Sequence, residues 1–258
     1  MQATIRKNKT KILFAVITIS VLTITLFLTI PYKITIFSDS FQPPETNAFE
    51  NWNPGANIET PSSSIIIVNL NGVYCANACA YGTDDSVMLQ DNFSASLSAA
   101  SAECSVMFTQ WGNAVGAYND PFIRFLKLPG DTLQNSVACA AIVFVNGTEY
   151  WGLHWRDGNQ VLHYTYVTSP LPQLGVWYHV RIDGCVSAKG TGYADLYVNG
   201  VELISETGLT NNLIGNMYAV QIGCACEGKN ATYEAYFTNV AVTESTHLSL
   251  HPHIHLHL

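Results

Sequence analysis

From Ser64 onward the chain is a succession of short apolar runs separated by polar turns. SIIIVNL (64–70), SVMLQ (86–90), CSVMFTQW (104–111), FIRFLKL (122–128) and SVACAAIVFV (136–145) are followed by TEYWGLHW (148–155) and VLHYTY (161–166). The series continues with VWYHVRIDG (176–184), YADLYV (193–198), VELI (201–204), MYAVQIG (217–223) and TYEAYFTNVAV (232–242). Val, Ile, Tyr, Phe, Thr and Trp dominate these runs, and such side chains fit a pleated, half-buried surface. Asn-Gly or Asp-Gly pairs at 146–147, 157–158, 183–184 and 199–200 punctuate them, as tight turns require. In GYADLYVNGVELI (192–204) the alternation sends Ala194, Leu196 and Val198 to one face and Tyr193, Asp195, Tyr197 and Asn199 to the other. About a dozen short strands without a helical period predict an all-β, two-sheet antiparallel jelly-roll sandwich. The Pro/Asn/Ser-rich stretch 42–64 reads as a long surface loop after a first strand.

The amino-terminal end breaks this pattern. Arg6, Lys7, Lys9 and Lys11 precede an uncharged run from Ile12 to Tyr32, long enough to cross ~30 Å of hydrocarbon as a helix. The run is longer than the apolar part of an ordinary secretory signal and has no small-x-small cleavage site near Pro31. Residues 1–11 are therefore expected in the cytoplasm, 12–32 as a transmembrane anchor or uncleaved signal, and the domain 34–245 outside the cell. Residues 246–258 form a His/Leu-rich tail in which His251, His253, His255 and His257 alternate with other residues. If extended, that tail could chelate a transition metal; equally, it could be a disordered end.

Charge sharpens the exported part. Beyond Lys33 there are six basic residues against nineteen acidic ones, a net charge of −13. Phosphate backbones need clustered Lys and Arg, so nucleic acid is excluded as a partner. Export also makes disulfides the default reading of the seven cysteines, with Cys75–Cys79 in CANAC as a plausible local pair. Sequons at Asn92, Asn146 and Asn230 mark candidate N-glycans on surface turns.

The stretch Trp177-Tyr178-His179-Val180, followed by Leu196-Tyr197-Val198-Asn199-Gly200, resembles the signature of laminin-G-like members of the concanavalin-A-like jelly rolls. IFSDSFQ (36–42) is similar to the opening strand of related exported modules, and YFTNVAV (236–242) to their closing strand. The resemblance thus covers roughly residues 36–243. It implies the sandwich, and it implies a structural Ca²⁺ held between the first and last strands. Asp39 matches that pattern, whereas Asn239 offers a neutral oxygen where a carboxylate is common, which weakens a hard-cation site. Asp84 and Asp85 form an alternative oxygen cluster. Trp177 is expected in the core.

The resemblance does not settle function, because the fold hosts lectins, adhesion domains and glycan-active enzymes alike. Retaining hydrolases need two close carboxylates. The nearest pair here, Glu202 and Glu206 in ELISE, has the wrong spacing and reads as solvated edge charge. No nucleophile elbow, zinc motif or phosphate loop is present. Sugar binding asks for aromatic faces and polar hydroxyl partners. Alternation in EYWGLHWRDG puts Trp151, Leu153 and Trp155 on one face and Tyr150, His154 and Arg156 on the other. With His163 on the next strand, and Trp111 at a strand end, the second set could line a concave sugar-binding face. The expected protein is a non-catalytic, membrane-anchored extracellular module that binds a glycan or a cell-surface protein. Two alternatives remain open: a structural envelope protein without a small-ligand site, and a glycan-active hydrolase or lyase.

Overall fold

The computed structural model describes residues 32–42, 49, 51–52, 54–58, 63–82, 85–111, 118–127, 136–159, 161–211, 215–226 and 231–246. Thr35–Glu244 forms one compact unit. Met1–Ile34 and Ser245–Leu258 group separately, and only their strand ends at 32–34 and 245–246 are described. The expected anchor (apart from Tyr32), the His-rich tail from His247, Asp84 and Asn230 lie outside the described residues.

The described chain is all strand and turn. The strands are β1 (Tyr32–Asp39), β2 (Pro54–Ile58), β3 (Ser64–Leu70), β4 (Val73–Gly82), β5 (Asp85–Leu97), β6 (Ala99–Gln110), β7 (Tyr118–Leu126) and β8 (Ser136–Val145). They continue as β9 (Thr148–Arg156), β10 (Leu162–Val167), β11 (Trp177–Cys185), β12 (Gly192–Val198), β13 (Val201–Leu209), β14 (Met217–Cys226) and β15 (Ala231–Thr246). An eight-stranded sheet runs β13-β12-β11-β6-β15-β4-β3, with β1 also pairing β15. A seven-stranded sheet runs β10-β9-β8-β7-β14-β5-β2. Every pairing with a resolved register is antiparallel.

The inner faces of the two sheets make the core, as the period of two requires. Phe108 on β6 anchors it, with ring centroids 5.2 Å from Phe122, 5.8 Å from Tyr233 and 6.0 Å from Trp151. Two hairpins close at expected Asn-Gly pairs, where Asn146 and Asn199 both adopt φ of 52° ahead of a positive-φ glycine, the geometry of a type I′ turn, whereas Asp183-Gly184, expected as a turn, lies inside β11 and pairs with β12. Ala194, Leu196 and Val198 are buried while Tyr193, Asp195 and Tyr197 stand outward.

Three expectations are corrected. The stretch 42–64 holds a strand, β2, which pairs with β5. Cys75 and Cys79 are free thiols on the same strand, β4. Four residues of strand separate their backbones by ~13 Å, about twice what a disulfide spans. Finally, Trp177 points outward and is 38% exposed.

Candidate functional site

The outer face of the seven-stranded sheet carries an unusual row. Gln90 on β5 lies opposite Gln221 on β14, which lies opposite Arg124 on β7. Arg124 in turn faces Cys139 on β8, Cys139 faces His154 on β9, and His154 faces Tyr164 on β10. Six neighbouring strands therefore each contribute one residue to a single line, spaced about 4.8 Å per strand.

Strand alternation places these residues. Ile222, Phe125, Ala140, Leu153 and Leu89 go inward to the core, so the polar residue beside each goes outward. Gln90, Gln221, Arg124, Cys139 and His154 are nevertheless all buried, whereas Tyr164 is 58% exposed. Half of the row is tied together by hydrogen bonds. Arg124 Nε donates to Gln221 Oε1 at 2.6 Å, Gln221 Nε2 donates to Gln90 Oε1 at 2.7 Å, and Gln90 Nε2 donates to Asn92 Oδ1 at 2.6 Å. A donor chain starting at a guanidinium polarises each amide in turn and fixes the Arg124 side chain in place.

The other half differs. Neither ring nitrogen of His154 has a hydrogen-bond partner among the described residues. Burial removes the imidazolium from water and lowers its pKa to about 4, so the ring is neutral at physiological pH. Tyr164 meets it edge to face, with ring centroids 6.1 Å apart. Between Arg124 and His154 in register stands the small Cys139, so a guanidinium and a neutral imidazole lie about 10 Å apart across two strand spacings.

A second cation, Arg156, shares the face and is 7% exposed; desolvation lowers its pKa. Of the three arginines beyond the amino-terminal segment, two therefore sit on this one face of a strongly acidic chain. Tyr150 also belongs to it and packs on Tyr166, ring centroids 5.1 Å apart. The small residues Ala141 and Gly152 lie in register between them and the row.

Of the residues expected to bind sugar, Tyr150, His154 and Arg156 thus share a face. His163 does not: it is paired with Trp155 and stacks on it at 5.5 Å, with its Nε2 3.1 Å from Asp157 Oδ2. Trp111 packs at 5.4 Å from Phe108 against the core and is away from the row. Gln90, Arg124, Cys139, Tyr164 and Gln221 were not anticipated. Both Asp39 oxygens accept protein donors, from Phe41 N and Trp52 Nε1 at 2.7 Å each, and Asn239 lies exposed in a positive-φ kink of β15. No cluster of three His, Cys, Asp or Glu side chains able to hold a metal converges among the described residues. Of the sequons, Asn146 tops the exposed β8–β9 turn and Asn92 ends the amide relay. Glu202 and Glu206 accept hydrogen bonds from Tyr197 and Thr165, both at 2.8 Å, and face no shared cleft.

No protein-family model matches the sequence, and no curated protein matches it. Solved structures do resemble the fold. An endo-β-1,4-glucuronan lyase from the fungus Trichoderma reesei superposes with a TM-score of 0.58 at 14% identity, covering 82% of this chain and 96% of that one. An alginate lyase superposes with a TM-score of 0.54 at 12% identity, covering 83% and 97%. A variant of that alginate lyase in complex with alginate tetrasaccharide gives 0.52 at 15%, covering 84% and 98%. The chain is therefore a two-sheet sandwich of the architecture shared by glycan-active jelly-roll enzymes.

These findings overturn the expectation of a non-catalytic binding or adhesion module. Neighbours aligned over nearly their whole length include polysaccharide lyases of glucuronan and alginate, and the outer face brings a buried neutral imidazole, an exposed phenol and a hydrogen-bonded guanidinium into one row.

Proposed function

We propose that this chain is a polysaccharide lyase that cleaves a uronic-acid-containing glycan by β-elimination. The observation that carries the reading is the row Gln90–Gln221–Arg124–Cys139–His154–Tyr164, together with neighbours that are lyases of glucuronan and alginate.

Elimination from a uronide needs three things. The carboxylate must be bound and its charge offset, because the proton to be removed lies on the carbon next to it. A base must take that proton, and an acid must protonate the departing glycosidic oxygen. Arg124, held by Gln221, is the group for the carboxylate; its charge and the amide donors stabilise the negative charge that spreads onto the carboxylate as the proton leaves. Tyr164, the exposed end of the row, is where a sugar ring first meets it, and proton removal by His154 requires the ring to displace what buries Cys139 and His154.

Neutral His154 accepts the proton. The C–H electron pair becomes a carbon–carbon double bond, the C–O bond at the next carbon breaks, and the oxygen departs with its electrons and takes a proton from the Tyr164 hydroxyl. Atoms balance without water or a cofactor. Proton return from His154 to Tyr164, adjacent on the next strand, resets the site. The low His154 pKa keeps the ring in its proton-accepting form, and Arg156 extends the positive face along the polymer. Export, as the basic-then-apolar start implies, would deliver such an enzyme to extracellular glycans.

Mass spectrometry of the products tests this reading. Elimination yields fragments whose masses sum to that of the substrate, with one unsaturated end; fragments that together gain one water would make the enzyme a hydrolase and sink the proposal.

A further inference from the structure

We propose a second glycan-binding site, on the outer face of the opposite sheet, that takes a neutral, unbranched pyranose chain. It is built around Trp177 at the start of β11. Trp177 is 38% exposed, and among the described residues no aromatic ring packs on it. Beside it opens a hollow of about 270 Å³ lined by Val73, Ser105, Trp177, His179, Thr238 and Asn239, with Tyr178 behind.

The hollow has a structural cause. β15 slips register between Thr238 and Ala241 against β6, and Asn239 takes a φ of 52°. That kink lifts the β15 backbone away from the straight ladder and exposes Asn239, leaving a gap beside Ser105 on β6 and His179 on β11, which lie opposite each other. The result is one indole face flanked by a hydroxyl, an imidazole and an amide. Pyranose rings present apolar C–H faces that stack on an indole and hydroxyls that need such donors and acceptors around it.

Charge selects the ligand. Glu103 lies 3.7 Å from His179, and Asp183, Asp195 and Glu202 occupy the same outer face further along. The one arginine there, Arg181, is bound 3.1 Å from Asp183 and stacks 3.9 Å over Tyr197. A uronate polymer would meet net negative charge at this face and a pair of arginines at the other. The two sheets thus sort glycans by charge: acidic chains at the row, neutral chains at Trp177. Such a site would hold the enzyme on a mixed polysaccharide while the opposite sheet acts on the acidic component.

The test uses the full-length protein and titration calorimetry with cellopentaose, xylopentaose and mannopentaose, alongside a glucuronan pentamer. Wild type is expected to bind at least one neutral pentamer, and Trp177→Ala to weaken that binding tenfold or more with turnover of soluble polyuronate unchanged. Trp177→Phe keeps a platform and retains most of the affinity. Ser105→Tyr, which fills the hollow from the neighbouring strand and leaves Trp177 in place, gives the same loss as Trp177→Ala and covers the case in which that variant misfolds. His154→Ala leaves neutral-glycan binding intact, so failure of the lyase reading and failure of this site are separable. No binding of any neutral pentamer by wild type, or undiminished binding by folded Trp177→Ala and Ser105→Tyr, overturns the proposal. So does glucuronan binding that is lost on mutation of Trp177.

Discussion

His154 and Tyr164 face each other across β9 and β10 with their rings 6.1 Å apart, one without exposed surface and the other more than half exposed. The buried partner is held neutral and the exposed partner carries a hydroxyl, so the pair offers one proton acceptor and one proton donor on neighbouring strands. In the proposed lyase, substrate approaches from the tyrosine side.

Removing either member is expected to abolish most of the elimination. General acid–base groups contribute about 10²–10⁴-fold, so His154→Ala and Tyr164→Phe should each lower kcat by at least about 10²-fold with little change in melting temperature for Tyr164→Phe. Initial rates on soluble polyuronate check this. A Tyr164→Phe enzyme that keeps full activity would remove the tyrosine from the mechanism.

In the proposed lyase, Arg124 acts through charge and fixed direction. Arg124→Lys retains the charge but loses the planar fork and the Nε bond to Gln221. Loss of one preorganised donor to developing negative charge costs about 10²–10³-fold, and the deficit should appear in kcat more than in KM. Gln221→Leu, which removes the hydrogen bond to Arg124 Nε but leaves the charge, should give a smaller loss in the same direction.

Stability should depend on pH through His154. Its pKa is lowered from 6.5 to about 4 on folding, so the unfolded chain binds the extra proton between those values and the folded chain does not. The contribution is complete above about pH 6.5 and is lost as pH falls toward 4, amounting to about 3 kcal/mol by linkage. Urea midpoints measured from pH 7.5 to 4 should fall, and His154→Leu should flatten that part of the curve. An equal slope in both proteins would mean that the histidine is solvated.

Gly223 on β14 tests the backbone that carries Gln221. It has φ of 150°, and a Cβ there would lie 2.1 Å from the Val87 carbonyl oxygen on β5. Backbone cannot yield as a side chain tip does, so Gly223→Ala should cost about 3 kcal/mol or more and lower activity together with stability. Thermal unfolding of the variant decides it.

Much of the fold was legible because alternation and turn chemistry agree. Trp151 and Leu153 against His154 and Arg156, and the positive-φ Asn146 and Asn199, are local signals. β4 was obscured because CANAC draws the eye to its cysteines, although Ala76, Ala78 and Ala80 alternate inward as in any strand. The site was only partly legible. His154 was visible, but its partner depends on the length of the turn between β9 and β10. That turn places Leu162 opposite Arg156, which brings Tyr164 rather than His163 to His154; a slip of one residue exchanges the two faces. The remaining members come from strands distant in sequence. The signal that marks two of them is a lone polar residue inside an apolar run: Arg124 in FIRFL and Gln221 in AVQIG, whereas Gln90 ends the run SVMLQ ahead of Asp91. Burying such a residue is unfavourable without a partner, and two runs with that feature point to a shared polar row.

Whether the row performs β-elimination is decided by the ultraviolet absorbance of the conjugated double bond, followed during incubation with glucuronan and with alginate. Wild-type protein should raise the absorbance on at least one of these polymers, and His154→Ala should not. New reducing ends without that absorbance, or no cleavage of either polymer, would contradict it.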